Sequence, residues 1–151
     1  MHIIYHCVGG THSSAIAAAI HLGMLPNDKK PQLNELMDFP FFDKLKKDQQ
    51  GRILLRGIDE KGNQVYTISR QFAPELVIPA IIDSYTIAGG NLDNLLLIDT
   101  MPAVNLLMKI GGFSSRRLHL VSFGRPIVAK GTLQAYEDLI KIVKDTKSKM
   151  I

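Results

Sequence analysis

Ile3-Ile4-Tyr5-His6-Cys7-Val8-Gly9-Gly10-Thr11-His12-Ser13-Ser14-Ala15-Ile16-Ala17-Ala18-Ala19-Ile20 decides how the chain folds. An apolar strand runs into a glycine turn, and an alanine-rich helix runs out of it. The pattern predicts a strand over residues 2–7 and a helix over 12–23, with Thr11 or Ser13 as N-cap and Gly23 as terminator. The first N–H groups of a helix have no partner within it, and the helix dipole is positive there, so such a turn favours anions. The one cysteine of the chain lies in the turn, between two histidines. That marks a site before it names a reaction.

Working outward, Gln32 to Leu45 is amphipathic, with Leu33, Leu36, Met37, Phe41 and Leu45 at helical spacing and Pro40 set to kink or split it. Residues 52–58 and 64–69 flank Asp59-Glu60-Lys61-Gly62-Asn63 as a β-hairpin. Pro74 starts a helix that runs to about Ala88 and ends at Gly89-Gly90, with Pro79 near its first turns. Leu95-Leu96-Leu97-Ile98 reads as a strand buried on both faces. A helix follows from about Pro102 to Ile110, closed by Gly111-Gly112. Leu118 to Ser122 reads as a further buried strand, and Gly131 to Lys149 as a long final helix. The order β-α-α-β-β-α-β-α-β-α predicts one α/β domain over residues 1–151. Its sheet is mainly parallel and covered by helices on both faces, with the hairpin as an insertion.

The 151 residues are 46% hydrophobic and 21% charged, with a net charge of +4, as in an ordinary globular protein. No tryptophan and no basic stripe interleaved with aromatics leaves little to bind nucleic acid. A lone cysteine rules out an internal disulfide and fits a reducing cytoplasm. The first 27 residues carry no Asp, Glu, Lys or Arg. The Gly-Gly-Thr-His-Ser-Ser break keeps each apolar run short of a membrane span, so a buried strand and helix explain the missing charges.

In an open α/β sheet, ligands bind beyond the carboxyl ends of the strands. Three such ends carry polar groups: His6 to Ser14, then Asp99-Thr100, then Ser122 with Gly124-Arg125. In the expected sheet all three lie on one edge. Gly9, Gly10, Thr11, Ser13, Ser14 and Arg125 are then the candidate anion ligands, and Cys7, His12 and Asp99 the candidate catalytic groups. Neighbouring imidazoles and a helix N-terminus favour a nucleophilic thiolate at Cys7, with Asp99 as general acid. A structural reading stands beside this one, in which Cys7 is a small packed residue.

The turn resembles the signature loop of cysteine-dependent phosphatases. His6-Cys7 match its start, Gly10 its glycine and Ser14 its hydroxyl residue, whereas Ser13 stands where that loop carries the arginine that clamps the phosphoryl group. A Walker-type phosphate cradle lacks its lysine and its glycine spacing here. Zinc on His6, Cys7 and His12 would need adjacent strand residues, which point to opposite faces, to converge. No metal and no cofactor is assigned. Ser114-Ser115-Arg116-Arg117 adds at most positive potential. His21 is read as off the site, and His119 as a core histidine.

As a whole, the chain resembles a family of small bacterial proteins of unknown function. Tyr5-His6, Gly9-Gly10-Thr11-His12-Ser13-Ser14 and His21-Leu22-Gly23 carry the likeness. The resemblance implies no activity, but it makes Ser13 part of that family's own pattern. The expected ligand is a small molecule bearing phosphate or carboxylate, open to phosphoryl hydrolysis or transfer. The alternative is a non-enzymatic interaction module with a purely structural turn. In it, the hairpin at 52–69 and the helix at 32–45 would meet a partner.

Overall fold

The computed structural model describes residues 1–150, the side chain of Arg116 excepted. Four strands form one sheet among these residues: β1 (His2–Cys7), β2 (Leu54–Ile58), β3 (Gln64–Ser69) and β4 (Leu95–Asp99), in the order β2-β3-β1-β4. β1 pairs in parallel with both β3 and β4, and β2 runs antiparallel to β3. The sheet is therefore mostly parallel. The hairpin is integral to it, because β3 is a direct neighbour of the central strand.

Helix α1 (Ser13–His21) follows the turn, and every one of its residues is buried. A helix enclosed on all sides is apolar on all sides, which accounts for the charge-free N-terminus. Its alanines at 15, 17, 18 and 19 are fully buried and let it sit close to β1, β3 and helix α6 (Tyr136–Ser148). Ile3, Tyr5, Val65, Leu96 and Ile98 meet Ile16, Ile20, Leu139 and Val143 there as the core. Each such aliphatic side chain contributes about 1.5–3 kcal/mol by leaving water.

Helix α2 (Leu33–Asp38) stops before Pro40, as its sequence demands. Helix α3 (Pro74–Ile87) starts on Pro74 and ends where Gly89 takes φ +86°. It flanks the opposite face of the sheet across a groove of about 720 Å³, lined by Ile4, Tyr66 and Ile68 on the sheet and Val77, Ile81 and Tyr85 on the helix. No residue of α3 is buried, so that face lacks the tight cover of the first.

The C-terminal third departs from expectation. Helix α4 (Leu106–Arg116) runs straight through Gly111-Gly112, and Leu118 to Leu120 is an exposed connection in which His119 is left-handed (φ 55°). Val121 opens helix α5 (Val121–Gln134), so the expected strand over 118–122 is absent, and the expected final helix is two helices parted at Ala135. A short apolar run reads equally as strand or helix start. The glycines explain the rest. A Cβ on Gly111 would lie 2.3 Å from Val128 N, and one on Gly124 2.4 Å from Ser115 N. These glycines let α4 and α5 pack backbone against backbone and do not end a helix.

Candidate functional site

Cys7 ends the central strand and is 4% exposed. Its Sγ accepts the Gly10 N–H at 3.1 Å and lies 3.1 Å from Ser14 Oγ. Gly10 is held at φ +70° with its α-carbon against the Ser69 backbone, where a Cβ would come within 2.8 Å of Ser69 N. Only glycine makes that turn, and the turn brings its N–H onto the sulfur.

Five carbonyls of the segment are engaged. Thr100 N and Oγ1 both donate to His6 O, Arg70 N to Cys7 O, Gln71 N and Ser69 Oγ to Val8 O, Asp43 N to Thr11 O, and Ile16 N to His12 O. The N–H groups of Gly9, Thr11, Ser13 and Ser14 make no such bond among the described residues. Thr11 is fully buried with an unpartnered hydroxyl, 3.7 Å from where a Cβ on Gly9 would sit. Backbone donors left over at a helix start make the turn receptive to an anion. The expected N-caps do not act as caps. His12 holds that position without a side-chain bond, and Ser13 Oγ turns to Thr100 Oγ1 at 2.8 Å.

His12 is fixed from outside the turn. Its Nε2 lies 2.9 Å from Asp43 Oδ1, while Asp43 Oδ2 accepts the Ser115 hydroxyl and the Arg125 Nε–H, the latter at 3.2 Å. Asp43 is 3% exposed and left-handed (φ 53°). Burial works to raise its carboxyl, but the bonds from His12, Ser115 and Arg125 outweigh that and hold it below the usual carboxylate range. Nδ1 of His12 faces Gly112, where a Cβ would approach within 3.3 Å. Arg125 thus sits inside α5, not on a strand-end loop, and reaches the site only through Asp43.

Asp99 does lie at the carboxyl end of β4, but it faces Arg70, at 3.5 Å from Nη2. Arg70 Nε donates to His6 Nδ1 at 3.1 Å, which requires a neutral imidazole, although Asp99 is only 3.8 Å away. Burial lowers the His6 pKa, the Asp99 charge works against that, and Arg70 adds to the lowering. Among the described residues no three metal-ligating side chains cluster.

A cleft of about 650 Å³ opens over the turn, walled by Cys7, Gly9, His12 and Ser13 on one side and by Lys109, Gly112, Phe113 and Arg117 of the α4 segment on the other. Asp99 and Arg125 are not among its lining residues. Lys109 and Arg117 supply the positive charge that the turn itself lacks. A family model described as a protein of unknown function (DUF3189) matches residues 2–148. The chain belongs to the DUF3189 family. No curated protein and no solved structure matches it. Membership in DUF3189 fixes kinship over nearly the whole chain and leaves its chemistry to the cleft.

Sequence reasoning missed Asp43, Arg70 and Lys109. The partners of Asp43 lie 31, 72 and 82 residues away, and nothing local marks it. Lys109 stands two residues before a glycine pair read as a helix end, which hid the face it shares with Phe113. Arg117 was seen only as a minor source of positive potential, and the Arg116 side chain lies outside the described residues.

Proposed function

We propose that the cleft binds a small phosphate-bearing molecule and that Cys7 and His12 act on its phosphoryl group. The observation that carries this reading is the convergence of the Gly10 N–H and the Ser14 hydroxyl on Cys7 Sγ. The Gly10 N–H fixes the sulfur beside the turn, and a cysteine attacks as its thiolate. Free N–H groups of the turn, with Lys109 and Arg117 opposite, would take the phosphoryl oxygens in place of the missing loop arginine. In the first step a sulfur electron pair forms an S–P bond while the P–O ester bond breaks. The departing oxygen takes a proton from His12. Water then attacks phosphorus and gives a proton to His12, and the S–P bond breaks to return the thiolate and release inorganic phosphate. His12 replaces Asp99 as the acid–base group, because His12 lines the cleft and Asp99 faces Arg70.

Two measurements test this. Millimolar phosphate at constant ionic strength should raise the melting temperature above a chloride control, since a ligand that binds only the native state stabilises it by RT ln(1 + [L]/Kd). Cys7→Ser should abolish phosphate release from an ester and keep that shift. Absence of the shift, or turnover that survives Cys7→Ser, overturns the reading.

A second reading has one observation of its own. β2 is an edge strand, and Ile53, Leu55 and Ile58 on or beside it are 45%, 54% and 62% exposed. Such an edge suits a protein partner. A chain that stays monomeric and retains no partner through this strand counts against it.

A further inference from the structure

Building on the proposed phosphoryl site, we infer that its ligand is a phosphate monoester with an aromatic body. A bare anion would use the turn, His12, Lys109 and Arg117. It would leave idle the remaining wall of the cleft, which is formed by Val8, Phe72, Met101, Val104, Met108 and Phe113. A cleft of about 650 Å³ lies in the range of sites that enclose a whole organic ligand. Phe72 and Phe113 are 73% and 56% exposed although both face this space. They come from different elements, Phe72 from the β3–α3 connection and Phe113 from α4. Two exposed rings lining one cleft lose solvent when a flat apolar group enters it, and ring pairs add to the gain from burial alone. Met101 and Met108 add adaptable thioether side chains to the lining.

Charge and ring are set in register along α4 and its C-cap, Arg117. Lys109, Phe113 and Arg117 are spaced four residues apart, so they form a single row along the cleft. An anion at the turn meets a cation of this row, and a ring attached to it lies over the neighbouring phenylalanine. Gln50 and Gln71 also line the cleft and offer amide groups to a polar ring edge.

The test uses full-length Cys7→Ser protein, so that binding is read without turnover, and titrates inorganic phosphate, glycerol 3-phosphate, benzyl phosphate and adenosine 5′-monophosphate by calorimetry. Benzyl phosphate should bind at least tenfold more tightly than glycerol 3-phosphate. Phe72→Ala and Phe113→Ala, both at exposed positions that do not endanger folding, should remove most of that margin. Tighter binding of the nucleotide than of benzyl phosphate supports the inference and assigns the ring to a nucleobase. Equal affinity for benzyl and glycerol phosphates overturns the aromatic preference while the phosphoryl site stands. No binding of any of the four overturns both.

Discussion

Asp43 joins three elements through one carboxylate, with His12 before α1, Ser115 on α4 and Arg125 on α5 as its partners. Its side chain is 1% exposed, so loss of its charge leaves the Arg125 guanidinium and the His12 ring facing a poor acceptor. Asp43→Asn should cost about 3 kcal/mol at neutral pH, the scale for breaking a buried charged pair, and urea denaturation would show it. The folded-state pKa is depressed, so the contribution is complete above the ordinary carboxylate value of 3.8 and is lost as pH falls through the lower folded value. The gap between wild type and variant should therefore close below about pH 4; a gap that persists in acid would contradict the assignment. The glycine turn, Cys7 and His12 were legible because strand, turn and helix are contiguous in sequence. Asp43 was not, since only the folded chain brings its partners to it.

The glycines of α4 make a sharp contrast between adjacent residues. Gly→Ala in an open helix gains about 1 kcal/mol of propensity. At Gly111 the new methyl would meet Val128 N at 2.3 Å, and backbone cannot give way as a side chain can. Overpacking of that kind costs about 1–3 kcal/mol, so Gly111→Ala should lower the denaturation midpoint. At Gly112 the nearest atom is His12 Cε1, at 3.2 Å. Gly112→Ala should leave stability within about 1 kcal/mol of wild type and lower turnover by displacing the imidazole. Equal effects of the two substitutions on stability would refute this division. The same glycines misled the sequence reading, because a Gly-Gly pair signals a helix end and a close helix crossing with the same letters. The ends of α1 and α3 were legible because a left-handed glycine follows each, whereas the helical spacing expected to run on to Leu45 stops at Asp38, before Pro40.

At the scale of the molecule, two buried histidines tie stability to pH. His21 is 1% exposed, with Nδ1 2.8 Å from Tyr5 Oη and Nε2 3.1 Å from Asp59 Oδ2. Burial lowers its pKa; Asp59 works against that, and Lys147 adds to the lowering. Burial tends to raise the Asp59 carboxyl, but bonds from Asn63, His21 and Lys61 hold it down, at about 2. His6 is lowered as well. A depressed histidine costs nothing above its unfolded value of about 6.5, and the penalty builds as pH falls through the folded value. The urea midpoint should accordingly fall between pH 7.5 and 5.5. His21→Gln should start lower and fall less over that interval; a flat wild-type profile would rule the linkage out. Sheet character and hairpin were legible from the sequence. The place of the hairpin beside β1 and the open groove under α3 were not, because strand order and helix seating are decided by packing.

The central position of β1 also sets a timetable. His2 pairs with Gln64 on one side and Leu95 on the other. During synthesis the first strand therefore leaves the ribosome with neither neighbour yet made. At about 5–20 residues per second it waits on the order of ten seconds for both, with its apolar residues and the helix behind it short of their final partners. Non-local parallel pairing of this kind is slow to form. The part of the chain that carries the proposed chemistry is made before its neighbours and locked in place late.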